Sequence, residues 1–155
     1  MTVESLPLVY RPRRLTILVI VACLSLCGLC FFGWFALPPS LRAEFTLSQV
    51  VTLLGILAGL VFAMVAIASS NVRVSADGLQ IRNGLARHHV EWSRVHKFLL
   101  RPGDPWAIVL IKPDDRPFEV DLDAEKRQLM GIQAGDGPAA VEAIATLSEL
   151  HRRYR

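Results

Sequence analysis

The segment Leu15–Ser70 decides the fold of this chain, and it reads LTILVIVACLSLCGLCFFGWFALPPSLRAEFTLSQVVTLLGILAGLVFAMVAIASS. Two long apolar runs flank a short polar break at residues 38–48, and the only charged residues of the segment lie in that break. Each run exceeds the roughly 20 residues that an α-helix needs to cross the hydrocarbon core of a bilayer. The segment is therefore predicted to form a two-helix transmembrane hairpin, with helices over residues 15–37 and 49–70 and a turn over 38–48.

The distribution of arginine predicts the orientation of this hairpin. Residues 1–14 include three arginines close to the first run, further arginines follow the second run from Arg73 onwards, and the polar break holds a single one. Because positively charged residues favour the cytoplasmic side of a membrane, both termini are predicted to be cytoplasmic and the turn external. Residues 1–14 then form a basic cytoplasmic segment, and no secondary structure is predicted for residues 1–10.

Small residues mark one face of the second apolar run. Gly55, Gly59 and Ala63 are spaced four residues apart, and aligned small side chains let two helix backbones approach closely. The spacing favours packing within the hairpin, and a homodimer through the second span is the alternative. The three cysteines of the chain all lie in the first run and are interpreted as packing residues, because charged thiolate ligands are unfavourable in hydrocarbon.

From Asn71 onwards, apolar and polar residues alternate with the period of a β-strand. Turn dipeptides at Asp77-Gly78 and Asn83-Gly84 separate short strands, because their glycines supply the positive φ that tight hairpins need. The predicted strands include Trp106–Ile111, which is apolar on both faces, and two later ones at Phe118–Leu122 and Met130–Ala134.

An amphipathic helix closes the predicted domain. Val141, Ile144 and Leu147 recur at helical spacing, and Asp136 is predicted to cap the helix with Pro138 in its first turn. Residues 71–155 are therefore predicted to form a cytoplasmic, mainly-β domain of six to seven antiparallel strands closed by one C-terminal α-helix.

Three stretches of this domain carry a family resemblance. They are Asp77–Leu85, Val90–Val95 and Arg101–Trp106, which read DGLQIRNGL, VEWSRV and RPGDPW. Together with the strand order and the hairpin, they resemble bacterial pleckstrin-homology (PH) domain proteins with a two-helix membrane anchor, a group that includes low molecular weight protein antigen 6. The resemblance implies a PH-like barrel at a bacterial cell membrane, and it implies no particular activity.

The resemblance also bears on lipid binding. Lipid-binding PH domains carry several basic residues around their first hairpin loop. In this sequence that loop is predicted at Ser75–Gly78, which is short and acidic, so a specific headgroup site is not expected there. Arg82, Arg87 and Arg94 are instead candidates for non-specific contact with anionic lipid.

The second apolar face of the strand Trp106–Ile111 needs a cover. Ala107, Val109 and Ile111 form that face, and either the closing helix covers it or it is a surface for a partner protein. Trp92 and Trp106 lie at strand ends and are interpreted as packing residues whose indole N–H groups find backbone acceptors.

Several classes of function are disfavoured. The sequence lacks a nucleophile elbow, a phosphate-cradling glycine loop and a Cys/His pair, so no catalytic residue is expected. His88 and His89 point to opposite faces of a strand and cannot share one metal ion. With 13 Lys and Arg against 12 Asp and Glu after Asn71, the domain is too neutral for nucleic-acid binding. We therefore expect no metal, no cofactor and no nucleic-acid partner.

The predicted hairpin places the protein in contact with membrane lipid, and three hypotheses for its function follow. The leading one is a non-enzymatic scaffold or interaction module that holds an unknown protein partner at the cytoplasmic face of a bacterial cell membrane. The alternative is a module that senses anionic lipid through basic strand residues. The third is a small membrane enzyme or a subunit of a larger membrane complex. Headgroup-selective lipid binding distinguishes the second hypothesis from the first.

Overall fold

A computed structural model describes residues 6–113 and 125–155. The chain forms two compact units: an apolar helical unit over Leu15–Ala68, and a β-rich domain that combines the N-terminal residues up to Arg14 with Ser69–Arg155. The predicted order of two long apolar helices, antiparallel strands and one C-terminal helix is confirmed. The elements are β1 (Leu8–Tyr10), α1 (Arg13–Ala36), α2 (Pro39–Glu44), α3 (Leu47–Ala68), β2 (Asn71–Val74), β3 (Gly78–Asn83), β4 (Ala86–Glu91), β5 (Val95–Leu99), β6 (Trp106–Ile111), β7 (Glu125–Gln133) and α4 (Pro138–Tyr154).

The helical unit contains two helices that are long enough and apolar enough to cross a membrane. They are α1, with 24 residues, and α3, with 22 residues. The short helix α2 lies in the polar break between them. A reciprocal capping box starts α3, because the backbone N–H of Thr46 donates to Gln49 Oε1 at 2.9 Å and that of Gln49 donates to Thr46 Oγ1 at 3.4 Å.

The small-residue face of α3 is open. A Cβ atom added at Gly55 or Gly59 would meet no other part of the described chain within 4 Å, and Ala63 is exposed. Packing of this face within the hairpin is therefore not observed in residues 6–113 and 125–155. A homodimer through this face stays a prediction.

In the part of the chain that the structure describes, the β-rich domain contains two antiparallel sheets. The first sheet has the strand order β1-β2-β3-β4 and the second has the order β5-β6-β7. One hydrophobic core draws side chains from both sheets and from α4, with Leu79, Leu129 and Leu147 all fully buried within it. The alternation predicted from the sequence places these residues on the inner faces of their elements.

Strand β1 is the main departure from the sequence-based prediction. No structure is predicted for residues 1–10, yet β1 pairs antiparallel with β2, and Tyr10 lies opposite Val72. Both apolar helices are therefore inserted between the first two strands of the sheet. The first hairpin connection of the domain comprises residues 11–70, and the loop Ser75–Gly78 belongs to the second hairpin. The prediction that Ser75–Gly78 is the first hairpin loop is wrong.

Strand β7 joins the two sheets. A Cβ atom at Gly131 would lie 2.6 Å from the backbone nitrogen of Val72, so β7 passes directly against the backbone of the first sheet. The side chain of Asn83 bridges the same sheets at another point. Its Nδ2 donates to the carbonyl of Gln128 at 2.7 Å, and its Oδ1 accepts from the backbone N–H of Met130 at 3.2 Å.

Other differences concern element boundaries. The predicted strand Met130–Ala134 covers only the second half of β7, because the charged residues in its first half interrupt the apolar pattern. The predicted strand Phe118–Leu122 lies outside the described residues. Asp136 does not cap α4. It belongs to a short 3-10 helix, and Gly137 takes the N-cap position with a φ of 62°.

The two predicted packing tryptophans differ in their surroundings. Trp92 is buried, and its indole Nε1 donates a 3.0 Å hydrogen bond to the carbonyl of Ser75. The predicted packing role and backbone acceptor are thus confirmed for Trp92. Trp106 is half-buried and lies outside the core cluster, so its packing role at the strand end stays a prediction.

Candidate functional site

The outer face of the first sheet carries a regular array of hydrogen-bond donors. In β2, β3 and β4, every second residue points away from the core. The strand register arranges most of these outward residues in two rows that run across the three strands, and Glu91, at the end of β4, lies beyond them opposite Gly78. We call this array the basic face; its rows are Asn71, Arg82 and Arg87, and Arg73, Gln80 and His89.

Two guanidinium groups face each other in the first row. Arg82 and Arg87 are directly opposite across the β3–β4 pair, an arrangement that destabilises a sheet when both residues carry the same charge. Within the described residues, neither they nor Arg73 forms an ion pair. The basic face therefore carries positive charge that no described carboxylate neutralises.

The turn between β3 and β4 holds Arg82 in position. The Nε of Arg82 donates a 3.0 Å hydrogen bond to the carbonyl of Gly84. The backbone N–H of Gly84 in turn donates to Ser70 Oγ at 2.9 Å, and Ser70 is buried. Leu85 stands at the tip of this turn with 67% of its surface exposed. An apolar side chain in water thus lies between the two facing arginines along the chain.

A shallow hollow of about 400 Å³ opens over the basic face. Its charged lining is entirely basic, and the remainder is polar apart from Ile81. A hollow of this kind suits a small anionic group rather than a large apolar ligand. The lining residues are Asn71, Arg73, Gln80, Ile81, Arg82, Arg87, His88 and His89.

The bacterial PH domain family matches residues 69–151, which is more than half of the chain. The chain belongs to the bacterial PH domain family. Uncharacterized proteins from Mycobacterium bovis and Mycobacterium tuberculosis are 36% identical to it over 94 residues, covering 60% of this chain and 54% of theirs.

The chain therefore spans about half the length of these curated relatives. The narrower resemblance to low molecular weight protein antigen 6 finds no support in these matches. No solved structure gives a significant match to the chain.

The first hairpin connection of this PH domain begins with arginines. Arg11, Arg13 and Arg14 line a second groove of about 560 Å³, whose other wall includes Asp136 and Glu142 on the α4 side. Because both positive and negative side chains line this groove, it is less favourable for binding an anion than the basic face is. Sequence reasoning used these arginines only for orientation, because it placed the first hairpin loop elsewhere.

The predicted lipid-contact residues are partly brought together in the PH domain. Arg82 and Arg87 share one row of the basic face, whereas Arg94 lies in the 3-10 helix Trp92–Arg94 and is not part of it. Arg73 and His89 belong to the face and were not singled out by the sequence. The alternation of inward and outward residues along each strand, combined with the turn at Gly84, could have placed both residues on this face.

The predicted partner surface is wrong. Ala107, Val109 and Ile111 are 0%, 0% and 3% exposed, and all three belong to the core cluster. Both faces of β6 are apolar, so the pattern alone could not assign the inner one. The outward face of β6 instead carries Ile108 and Trp106, which are half-buried.

His88 and His89 lie on opposite faces of β4, as predicted. His88 points inward, where Nη1 of Arg127 donates towards its ring at 3.1 Å from Nε2, and Arg127 also pairs with Glu125. His88 is therefore engaged in joining β4 to β7. In residues 6–113 and 125–155 there is no group of three side chains suited to hold a metal ion.

His151, near the end of α4, is a buried titratable group away from the basic face. Its ring stacks on Trp92 and meets Phe98 edge-on, with centroids 6.3 Å apart in both pairs. It hydrogen-bonds the backbone of Val95. The other ring nitrogen, Nε2, is buried without a hydrogen-bond partner in the described structure. A proton on Nε2 would therefore have no acceptor.

Burial and positive neighbours lower the pKa of two histidines in this region. Burial is the largest cause for His151, and the charges of Arg155 and Lys112 add to it, while its backbone hydrogen bond acts in the opposite direction on the pKa. Burial is also the largest cause for the lowered pKa of His96, followed by Lys112, Lys97 and Arg155. The lowered pKa favours the neutral form of both rings in the folded domain.

Lowering the pH from about 7.5 to about 5.5 is expected to lower the melting temperature of the PH domain. The pKa of His151 lies below the ordinary value of 6.5 in the folded state. As the pH falls through 6.5, His151 binds a proton in the unfolded chain but not yet in the folded chain, so the free energy of unfolding decreases. Thermal unfolding of the full chain in detergent, followed by tryptophan fluorescence, measures the effect.

The control for this pH dependence is a double variant, His151→Phe with His96→Gln. It retains an aromatic ring beside Trp92 and removes both shifted titrations. Its melting temperature should change less over the same pH range than that of the wild type. A wild-type melting temperature that stays constant or rises on acidification contradicts the prediction.

Proposed function

We propose that this protein is a non-enzymatic, membrane-anchored PH module whose basic face engages the anionic surface of the membrane that anchors it. The observation that carries the proposal is the single sign of charge on the basic face. Its two rows hold three arginines and one histidine and no acidic side chain, and the acidic outward residue of β4, Glu91, lies beyond them opposite Gly78. A protein-scaffold function has less support, because the residues that suggested a partner surface are buried in the core.

The membrane anchor is supported by the apolar helices α1 and α3. If both cross the bilayer, the two ends of their hairpin must return to the same side, because β1 precedes the hairpin, β2 follows it, and the two strands pair in one sheet. This pairing is independent of the arginine distribution and favours the same topology. The distribution of arginine then favours the cytoplasmic side of a bacterial cell membrane for the PH domain.

The β3–β4 turn is well suited to the membrane interface. Exposed Leu85 can enter the headgroup region while the flanking Arg82 and Arg87 meet anionic lipid. Only Ser69 and Ser70 separate the end of α3 from β2. The turn is hydrogen-bonded to Ser70, within this short connection.

Hydrogen–deuterium exchange of the full chain in lipid nanodiscs tests this function. Residues 78–91, which span the β3–β4 hairpin, should exchange more slowly in nanodiscs with anionic lipid than in purely zwitterionic ones. Replacing Arg82→Gln, Arg87→Gln and Leu85→Ser together should remove most of the difference. Each basic residue near an anionic surface contributes about 1 kcal/mol, so the loss of two weakens engagement roughly 30-fold.

The matched control carries Arg101→Gln and Arg152→Gln, which remove the same charge from exposed positions outside the basic face. This variant should keep the lipid-dependent protection. Equal exchange of the hairpin in anionic and zwitterionic nanodiscs would count against the proposed function, as would an equal effect of the control substitutions.

A further inference from the structure

The facing arginines of the basic face are unfavourable without a counter-ion. Opposite residues in an antiparallel pair have Cβ atoms about 4.5–5.5 Å apart, so like charges there repel. Arg82 and Arg87 hold such positions, and no described carboxylate pairs with either. An anion bound between them would offset the repulsion and draw on both groups at once.

The donors of this pair match the oxygens of a phosphate group. A guanidinium is a planar fork that binds phosphate through two parallel hydrogen bonds. The Nε of Arg82 is committed to the carbonyl of Gly84, so its two terminal nitrogens are fixed in direction and available. Arg87 is exposed, and its side chain makes no hydrogen bond within the described residues. The hollow above them is about 400 Å³, which admits a phosphate group with part of its substituent.

We propose that Arg82 and Arg87 bind a phosphomonoester group, with Arg73 of the neighbouring row supplying a third positive charge. The inference rests on the proposed function, because it names the headgroup chemistry that the basic face recognises. A phosphomonoester carries a charge of about −1.5 to −2 at neutral pH and offers three acceptor oxygens. It therefore balances two guanidinium groups, whereas the phosphodiester of most anionic lipids carries one charge and leaves the pair incompletely neutralised.

Isothermal titration calorimetry of the full chain in neutral detergent micelles tests the site with three probes. They are short-chain phosphatidic acid, which is a lipid phosphomonoester; short-chain phosphatidylglycerol, which is a phosphodiester; and soluble glycerol 3-phosphate. Phosphatidic acid should bind at least about ten-fold more tightly than phosphatidylglycerol. Glycerol 3-phosphate identifies the source: comparable affinity assigns the site to a soluble phosphomonoester, and much weaker affinity assigns it to a membrane lipid.

Substitutions that keep the charge separate a built site from a charged surface. Arg82→Lys and Arg87→Lys retain positive charge and lose the fork, so each should weaken phosphatidic acid binding about ten-fold with little effect on phosphatidylglycerol. Arg101→Lys, at an exposed loop position, is the matched control and should change neither affinity.

Equal affinity for the two lipids, or full retention of phosphatidic acid binding in Arg82→Lys, would overturn the phosphomonoester site while leaving the proposed function in place. Failure of both lipids to bind would contradict the proposed function as well. The two failures are therefore distinguishable in one set of titrations.

Discussion

Replacing Gly131 with alanine is expected to unfold the PH domain or to lower its melting temperature severely. A Cβ atom at this position would lie 2.6 Å from the nitrogen of Val72, 2.8 Å from the carbonyl oxygen of Tyr10 and 2.9 Å from the carbonyl carbon of Asn71. All three atoms belong to the backbone, so no side-chain rotation can relieve the contact. Overpacking of this kind costs about 1–3 kcal/mol or more, out of the roughly 5–15 kcal/mol that stabilise a domain.

Gly135→Ala is the matched control for this substitution. A Cβ atom at Gly135 would meet only the flexible side chain of Gln133, at 3.7 Å, which is an ordinary contact. Thermal unfolding of both variants in detergent, followed by near-UV circular dichroism, should show a large loss for Gly131→Ala and little change for Gly135→Ala. A Gly131→Ala variant that melts with the wild type would mean that β7 does not cross the first sheet as closely as described.

The strands of the second sheet show how far sequence periodicity reaches. Trp106–Ile111 is predicted from the sequence with the bounds that the structure gives, because an apolar run between two proline-containing loops defines its length. The inward face of the same strand could not be predicted, since both faces are apolar. The register with β5 and β7 decides which face is buried, and register is not a local property of β6.

The basic face was partly accessible from the sequence. The Asn83-Gly84 turn signal predicts a hairpin, and a two-residue loop at Gly84 and Leu85 places Arg82 opposite Arg87. The pairing of two like charges could therefore have been read from the turn. The hydrogen bond from the backbone N–H of Gly84 to Ser70 Oγ could not be predicted, because it joins residues 14 positions apart.

Strand β1 could not be predicted from the sequence. It has three residues, which is too short for a periodic signal, and its partner β2 begins beyond two long helices. The sequence divides the chain at the apolar segment, whereas the PH domain is built from residues on both sides of it. Loop-closure entropy grows slowly with loop length, so an inserted segment of this size is compatible with stable pairing.

A fragment that begins at Ser69 is therefore expected to be much less stable than a chain that retains β1. Leu6, Leu8 and Tyr10 pack against the core, and β1 covers the edge of β2. Truncating one large apolar contact typically costs about 2–5 kcal/mol. A loss of 1 kcal/mol lowers the melting temperature of a domain of this size by about 4–8 °C. The fragment should thus melt at least about 10 °C lower or fail to fold.

The fragment is compared with a chain that retains β1 but lacks the apolar helices. In this linked chain, residues 6–11 are joined to residues 70–155 through a short Gly-Ser linker. Within it, Leu8→Asp should lower the melting temperature towards that of the fragment, because Leu8 packs against the core. Val9→Asp should be tolerated, since the side chain of Val9 is 44% exposed. Should the fragment from Ser69 melt together with the linked chain, β1 would not be part of the folded domain. The expected difference would show that residues on both sides of the apolar helices complete the first sheet.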